Sequence, residues 1–218
     1  MSRVLFDLAL KNLNNDLLRM CEEVKKQIRL SIKSLVNKDI ELAKQVIKDD
    51  DIIDNFNKEI EDRCVRVIAT EQPLAKDLRE IFTAIKVVTD LERMADYAVD
   101  IAKITIHLKG DEYIKELIQI PELAEKVLNI ISLAIDAYVK GDSKKAYEIC
   151  KMDDEIDSLY KEILEELFNI MVEDNSLATQ AGRFMFVAKN LERIGDHVTN
   201  ICEWAIYLVD GTYVDLNE

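Results

Sequence analysis

Glycine and proline are scarce: the 218 residues contain five Gly and two Pro. So few chain breakers exclude a turn-rich β architecture and leave room for a small number of long helices. Histidine is rarer still, with His107 and His197 alone. That counts against a carboxylate-bridged di-iron or di-manganese bundle with paired Glu-x-x-His motifs, since neither His follows a Glu by three residues. Five scattered glycines build no phosphate-cradling loop, and no Gly-x-Ser-x-Gly elbow is present. The four cysteines, Cys21, Cys64, Cys150 and Cys202, form no Cys-x-x-Cys pair and no zinc spacing. Each falls among helical apolar positions, so free buried thiols are expected. No uncharged apolar run approaches the ~18 residues of a membrane span. Residues 1–7 lack the apolar core of a signal peptide. A cytoplasmic protein is expected.

Positive charge is also in short supply. Lys and Arg number 29 against 43 Asp and Glu, a net charge of −14. This argues against nucleic acid and against an anionic membrane surface, both of which need clustered cations. It suits cation binding or a basic protein partner.

What is abundant is helical periodicity. Leu10, Leu13, Leu17, Met20, Val24, Ile28 and Leu35 step by three, four or seven and mark one face of a long helix. No segment alternates with period two, and the fold class is all-α. Breaks are expected at Asn37-Lys38-Asp39, with Asp39 as an N-cap, and at Thr70–Pro73, with Pro73 opening a third helix. Gly110, Gly141-Asp142 and Gly211 close later helices. Pro121 lies in the first turns of a fourth helix or kinks it.

The chain repeats itself. Leu91 to Ala102 (LERMADYAVDIA) and Leu191 to Cys202 (LERIGDHVTNIC) share five of twelve positions, including Glu92/Glu192, Arg93/Arg193 and Asp96/Asp196. Lys48 to Ile60 matches Lys151 to Ile163 at eight of thirteen. A period near 100 residues indicates a duplicated bundle, with three-helix units at 1–110 and 111–218.

The repeated positions are acidic. At 100° per residue, Glu92, Asp96 and Asp100 form a stripe flanking the apolar face of Leu91, Ala95, Ala98 and Ala102. Glu192, Asp196, Asn200 and Glu203 form its counterpart. Asp50 and Asp54, and likewise Asp153 and Asp157, add carboxylates four apart on the second helix of each unit, with Asp51 and Asp154 beside them. Two such helices side by side would gather four or more carboxylates. Their repulsion calls for Arg93, Arg193, a nearby Lys or a metal ion. All-oxygen donor sets suit Mg²⁺, Mn²⁺, Ca²⁺ or Fe³⁺. Solvated acidic faces, or clusters that receive Lys and Arg from a partner protein, are the metal-free alternatives. The copies are not equivalent: Asp100 becomes Asn200, and Lys103 becomes Glu203.

LERMAD and LERIGD, each late in its unit, together with EQPLAKDLR from Glu71 to Arg79, resemble the PhoU family over nearly the whole chain. The second unit departs from the pattern at Asn175 to Gln180, which has no Pro and no Asp-Leu-Arg run. The resemblance implies two pseudo-symmetric antiparallel three-helix bundles. It implies a non-enzymatic regulator that damps phosphate uptake and the phosphate-starvation response, acting with the phosphate ABC transporter ATPase and a sensor histidine kinase. It also implies iron or zinc at the acidic motifs, with Glu92, Asp96, Asp100, Glu192, Asp196, Asn200, Asp50, Asp54, Asp153 and Asp157 as the candidate metal positions. A homodimer is expected, because apolar positions remain once one helical face is assigned. The competing readings are a carboxylate-bridged enzyme or metal store, and a metal-free interaction bundle.

Overall fold

Six long helices and one short 3₁₀ turn account for nearly all of residues 3–216, which the computed structural model describes: α1 (Arg3–Val36), α2 (Ile40–Glu71), α3 (Ala75–His107), α4 (Gln119–Lys140), α5 (Ser143–Glu173), the 3₁₀ turn Asn175–Leu177, and α6 (Ala178–Asp210). No strand occurs among the described residues. The ends follow the local chemistry. Asp39 caps α2 by accepting from the Leu42 amide at 2.9 Å, and Asp142 caps α5 by accepting from Lys145 N at 3.0 Å. Gly141 ends α4 and Gly211 ends α6 with φ of 63° and 74°, the left-handed geometry that a Cβ disfavours.

Two expected boundaries move. Pro73 precedes α3 instead of opening it, because Gln72 is left-handed and Leu74 is extended, so helical geometry begins only at Ala75. Gly110, with φ of 85°, lies in the turn beyond the Leu108 cap of α3. Pro121 sits in the first turn of α4, where its missing N–H is harmless. The departure at Asn175 to Gln180 has a structural counterpart: Asp174 accepts from Ser176 N at 2.9 Å and nucleates the 3₁₀ turn that delivers the chain into α6.

Helices α1–α3 pack as one bundle and α4–α6 as another. The two bundles join through α3 against α6 and α1 against α4. One apolar cluster runs through both, from Phe6, Leu17 and Ile28 on α1 to Leu191, Val198 and Ile206 on α6. Helices α3 and α6 are therefore the shared inner layer. Leu91, Ala95, Ala98 and Ala102 are fully buried, as the stripe on α3 requires. Small residues there let the neighbouring backbones approach and set the acidic positions along the α2–α3 and α5–α6 seams.

Candidate functional site: two acidic seams and a central carboxylate

In the first unit Asp50 and Asp54 on α2 face Glu92 and Asp96 on α3, and all four are half-buried. Burial first, then the neighbouring Asp54 and Asp96, pushes the Asp50 carboxyl above its ordinary range, while the Gln27 amide donating at 3.0 Å pulls it back. Glu92 is pushed up by burial and then by Asp96, against the pull of Arg93. Arg93 donates to Asp96 at 2.8 Å and stands 3.5 Å from Glu92.

The second unit repeats this plan with different fittings. Arg193 donates to Asp196 at 2.9 Å, and Lys189 donates to both oxygens of Glu192 at 2.6 Å. The position matching Lys189 in the first unit is Thr89, which offers no charge. Asp153 is the extreme case. Burial, followed by Asp157 and Asp196, raises its carboxyl to about 7, with the Thr199 hydroxyl donating at 3.3 Å in opposition. Its other oxygen, Oδ1, is buried without a hydrogen-bond partner. Such an oxygen wants a proton or a cation.

The structure thus gathers eight of the ten candidate metal positions into two groups of four. Asp100 and Asn200 fall outside them. Asp100 is exposed and accepts from Lys103 at 2.8 Å. Asn200 donates to Asp90 at 3.1 Å. Glu203 accepts from the Leu216 amide at 2.7 Å and tethers the C-terminal segment. Asp51 and Asp154 are exposed. The donor chemistry of each group suits a hard cation. Among the described residues, however, no three His, Cys, Asp or Glu side chains stand arranged to hold an ion. Arg93 and Arg193 occupy the carboxylates instead.

Sequence reasoning missed Asp90. It is buried on α3, where its carboxylate accepts from His197 Nδ1 at 2.8 Å, Asn200 Nδ2 at 3.1 Å and Trp204 Nε1 at 3.1 Å, all from α6. His197 is part of this inter-bundle knot and packs beside Tyr97. The available signal was Trp204, the one Trp in the chain, whose N–H needs an acceptor wherever it is buried.

The cysteines are buried as expected at Cys21, Cys64 and Cys202, whereas Cys150 is only partly covered. No helix of the described residues is long and apolar enough to cross a membrane.

Comparison with known proteins agrees with the duplicated plan. A family model described as PhoU domain matches residues 17–105 and again 120–205. The chain is 49% identical over its full length to a Clostridium acetobutylicum protein named phosphate-specific transport system accessory protein PhoU homolog, covering 100% of each. It is 37% identical to a Rhizobium meliloti protein of the same name, over 94% of this chain and 87% of that one. Among solved structures, the phosphate transport system regulatory protein PhoU from Streptococcus pneumoniae superposes with a TM-score of 0.89 at 30% identity, covering 96% of this chain and 99% of the other. PhoU from Pseudomonas aeruginosa also gives 0.89, at 35% identity over 95% and 100%.

Proposed function

The chain belongs to the PhoU domain family, and from that premise we propose that it is a cytoplasmic, non-enzymatic negative regulator of phosphate uptake and of the phosphate-starvation response. It acts as an adaptor between the ATPase of a phosphate ABC transporter and a sensor histidine kinase. The observation that carries this reading is the full-length relationship to proteins named as accessory to phosphate-specific transport. The geometry supports it: carboxylates stand together on the helix seams, where they can receive a cation or a partner's basic side chains.

In this proposal the two seams are the working surfaces. Asp50, Asp54, Glu92 and Asp96 would hold one cation, and Asp153, Asp157, Glu192 and Asp196 another, iron or zinc by family resemblance and manganese or magnesium by donor type. The ion would supply positive charge where four carboxylates repel. The protein's own part is to hold the carboxylates half-buried, so that their charge is poorly screened. A second reading has a specific observation in its favour. Arg93 and Arg193 already grip Asp96 and Asp196, which is how a partner's Arg or Lys would bind a metal-free seam. A homodimer belongs to the proposal as well, supported by exposed apolar side chains such as Phe168, Val172 and Phe186.

The test is genetic. Deleting the gene should raise phosphate-responsive transcription at high phosphate, and unchanged transcription would count against the regulatory role.

A further inference from the structure

Helices α5 and α6 run antiparallel, and Thr199 on α6 meets Asp153 on α5. Moving one turn along this seam takes Asp153 back three residues to Cys150 and Thr199 forward three to Cys202. The two cysteines therefore face each other in the same register, near enough for the Cys150 thiol to act on the Cys202 proton. Cys150, then burial, holds the Cys202 proton firmly. Cys150 is partly open to solvent, whereas Cys202 is fully buried.

The duplication supplies an internal comparison. The matching positions of the first unit are Ile47 and Ala102, which pack in a small apolar cluster with Ala43 and Val46. Packing at this point is thus met without sulfur. The second unit alone carries two thiols there.

We infer that Cys150 and Cys202 form a dithiol modification site, closing to a disulfide that fastens α5 to α6 one turn from Asp153. The co-reactant is a low-molecular-weight disulfide. Cys150, the accessible thiol, reacts first as its thiolate. It attacks one sulfur of the reagent, forms a mixed disulfide and releases one small thiolate, which takes up a proton. Cys202 then gives its proton to solvent and attacks the Cys150 sulfur, and the second small thiol leaves. Two protein thiols are oxidised and one external disulfide is reduced to two thiols. Closure sets the sulfurs about 2 Å apart, with the Cβ atoms near 3.8 Å. Because Cys202 is buried and holds its proton, the second step is the slow one. The first unit cannot react in this way, so oxidation would act on one acidic seam and spare the other.

The experiment uses the full chain incubated to equilibrium with oxidised glutathione, then alkylated, digested with trypsin and read by mass spectrometry. Each cysteine falls in its own tryptic peptide. The expected product links 146–151 to 194–218, leaves Cys21 and Cys64 alkylated, and reverts with dithiothreitol. Cys202→Ser and Cys202→Ala, the latter reproducing the side chain of the first unit, should stop at a glutathione adduct on Cys150. Circular dichroism checks that each variant is folded. Persistence of all four thiols, a wild-type adduct on Cys150 that never closes, or a link through Cys21 or Cys64 would overturn the inference.

Discussion

A Cβ added to Gly195 would stand 2.6 Å from Oδ1 of Asp153. The corresponding residue of the first unit is Ala95, so the second unit alone lets an acidic side chain press against the backbone of its inner helix. Gly195→Ala should therefore do two things. Alanine favours the helix by roughly 1 kcal/mol over glycine. The new methyl must also displace the Asp153 carboxyl, the movable end of a short side chain, toward solvent. The expected result is a small gain in stability, at most about 1 kcal/mol, with the Asp153 titration falling toward the ordinary carboxylate range. Carbon-detected NMR titration of the aspartate carboxyls reads the second effect.

Asp153 gives the fold a pH dependence of definite sign. Its carboxyl is raised from 3.8 to about 7 in the folded chain, so the folded state holds a proton that the unfolded chain releases. The stabilisation is present below about pH 4 and is lost as pH rises through about 7. Asp153→Asn removes this loss and can still accept from Thr199. The variant should match the wild type near pH 4. It should exceed it at pH 8 by on the order of 2 kcal/mol, a figure reduced from the full shift for solvent screening. Urea unfolding at the two pH values makes the comparison.

Asp90 joins the two bundles through three donors from α6. Asp90→Ala strands all three in a mostly buried setting and should cost roughly 3 kcal/mol. Asp90→Asn keeps one acceptor oxygen and should cost about half as much. Chemical denaturation with tryptophan fluorescence is the readout, since Trp204 is itself one of the donors.

Cation binding predicts a thermal shift. Adding iron, zinc or manganese to protein purified without chelator or a metal-affinity tag should raise the melting temperature. Glu192→Gln with Asp196→Asn should remove the part due to the second seam. Metal content measured on the purified protein supplies the stoichiometry.

Helical spacing made the acidic pairs legible, but only over one step. Residues four apart drift by about 40° round a helix. Asp50 with Asp54, and Glu92 with Asp96, stay on the seam across that drift. A third member, at 80°, rotates away from it: Asp100 turns to Lys103 in solvent and Asn200 turns to Asp90 between the bundles. The cap at Asp39 and the stops at Gly141 and Gly211 were legible because their causes lie within a few residues. The Asp90 knot was not, because its donors lie 107 to 114 residues away and no local periodicity records the register of α3 on α6. The Cys150–Cys202 pairing has the same origin, since it depends on how α5 meets α6.

On the proposed function, the acidic seams carry the regulatory role. Its most direct measurement is phosphate-responsive transcription at high phosphate in a deletion strain, complemented with the wild type or with a chain carrying Glu92→Gln, Asp96→Asn, Glu192→Gln and Asp196→Asn, folded and at equal abundance. The wild type should restore repression, and the neutralised chain should leave transcription as high as in the deletion. Full repression by the neutralised chain would contradict it.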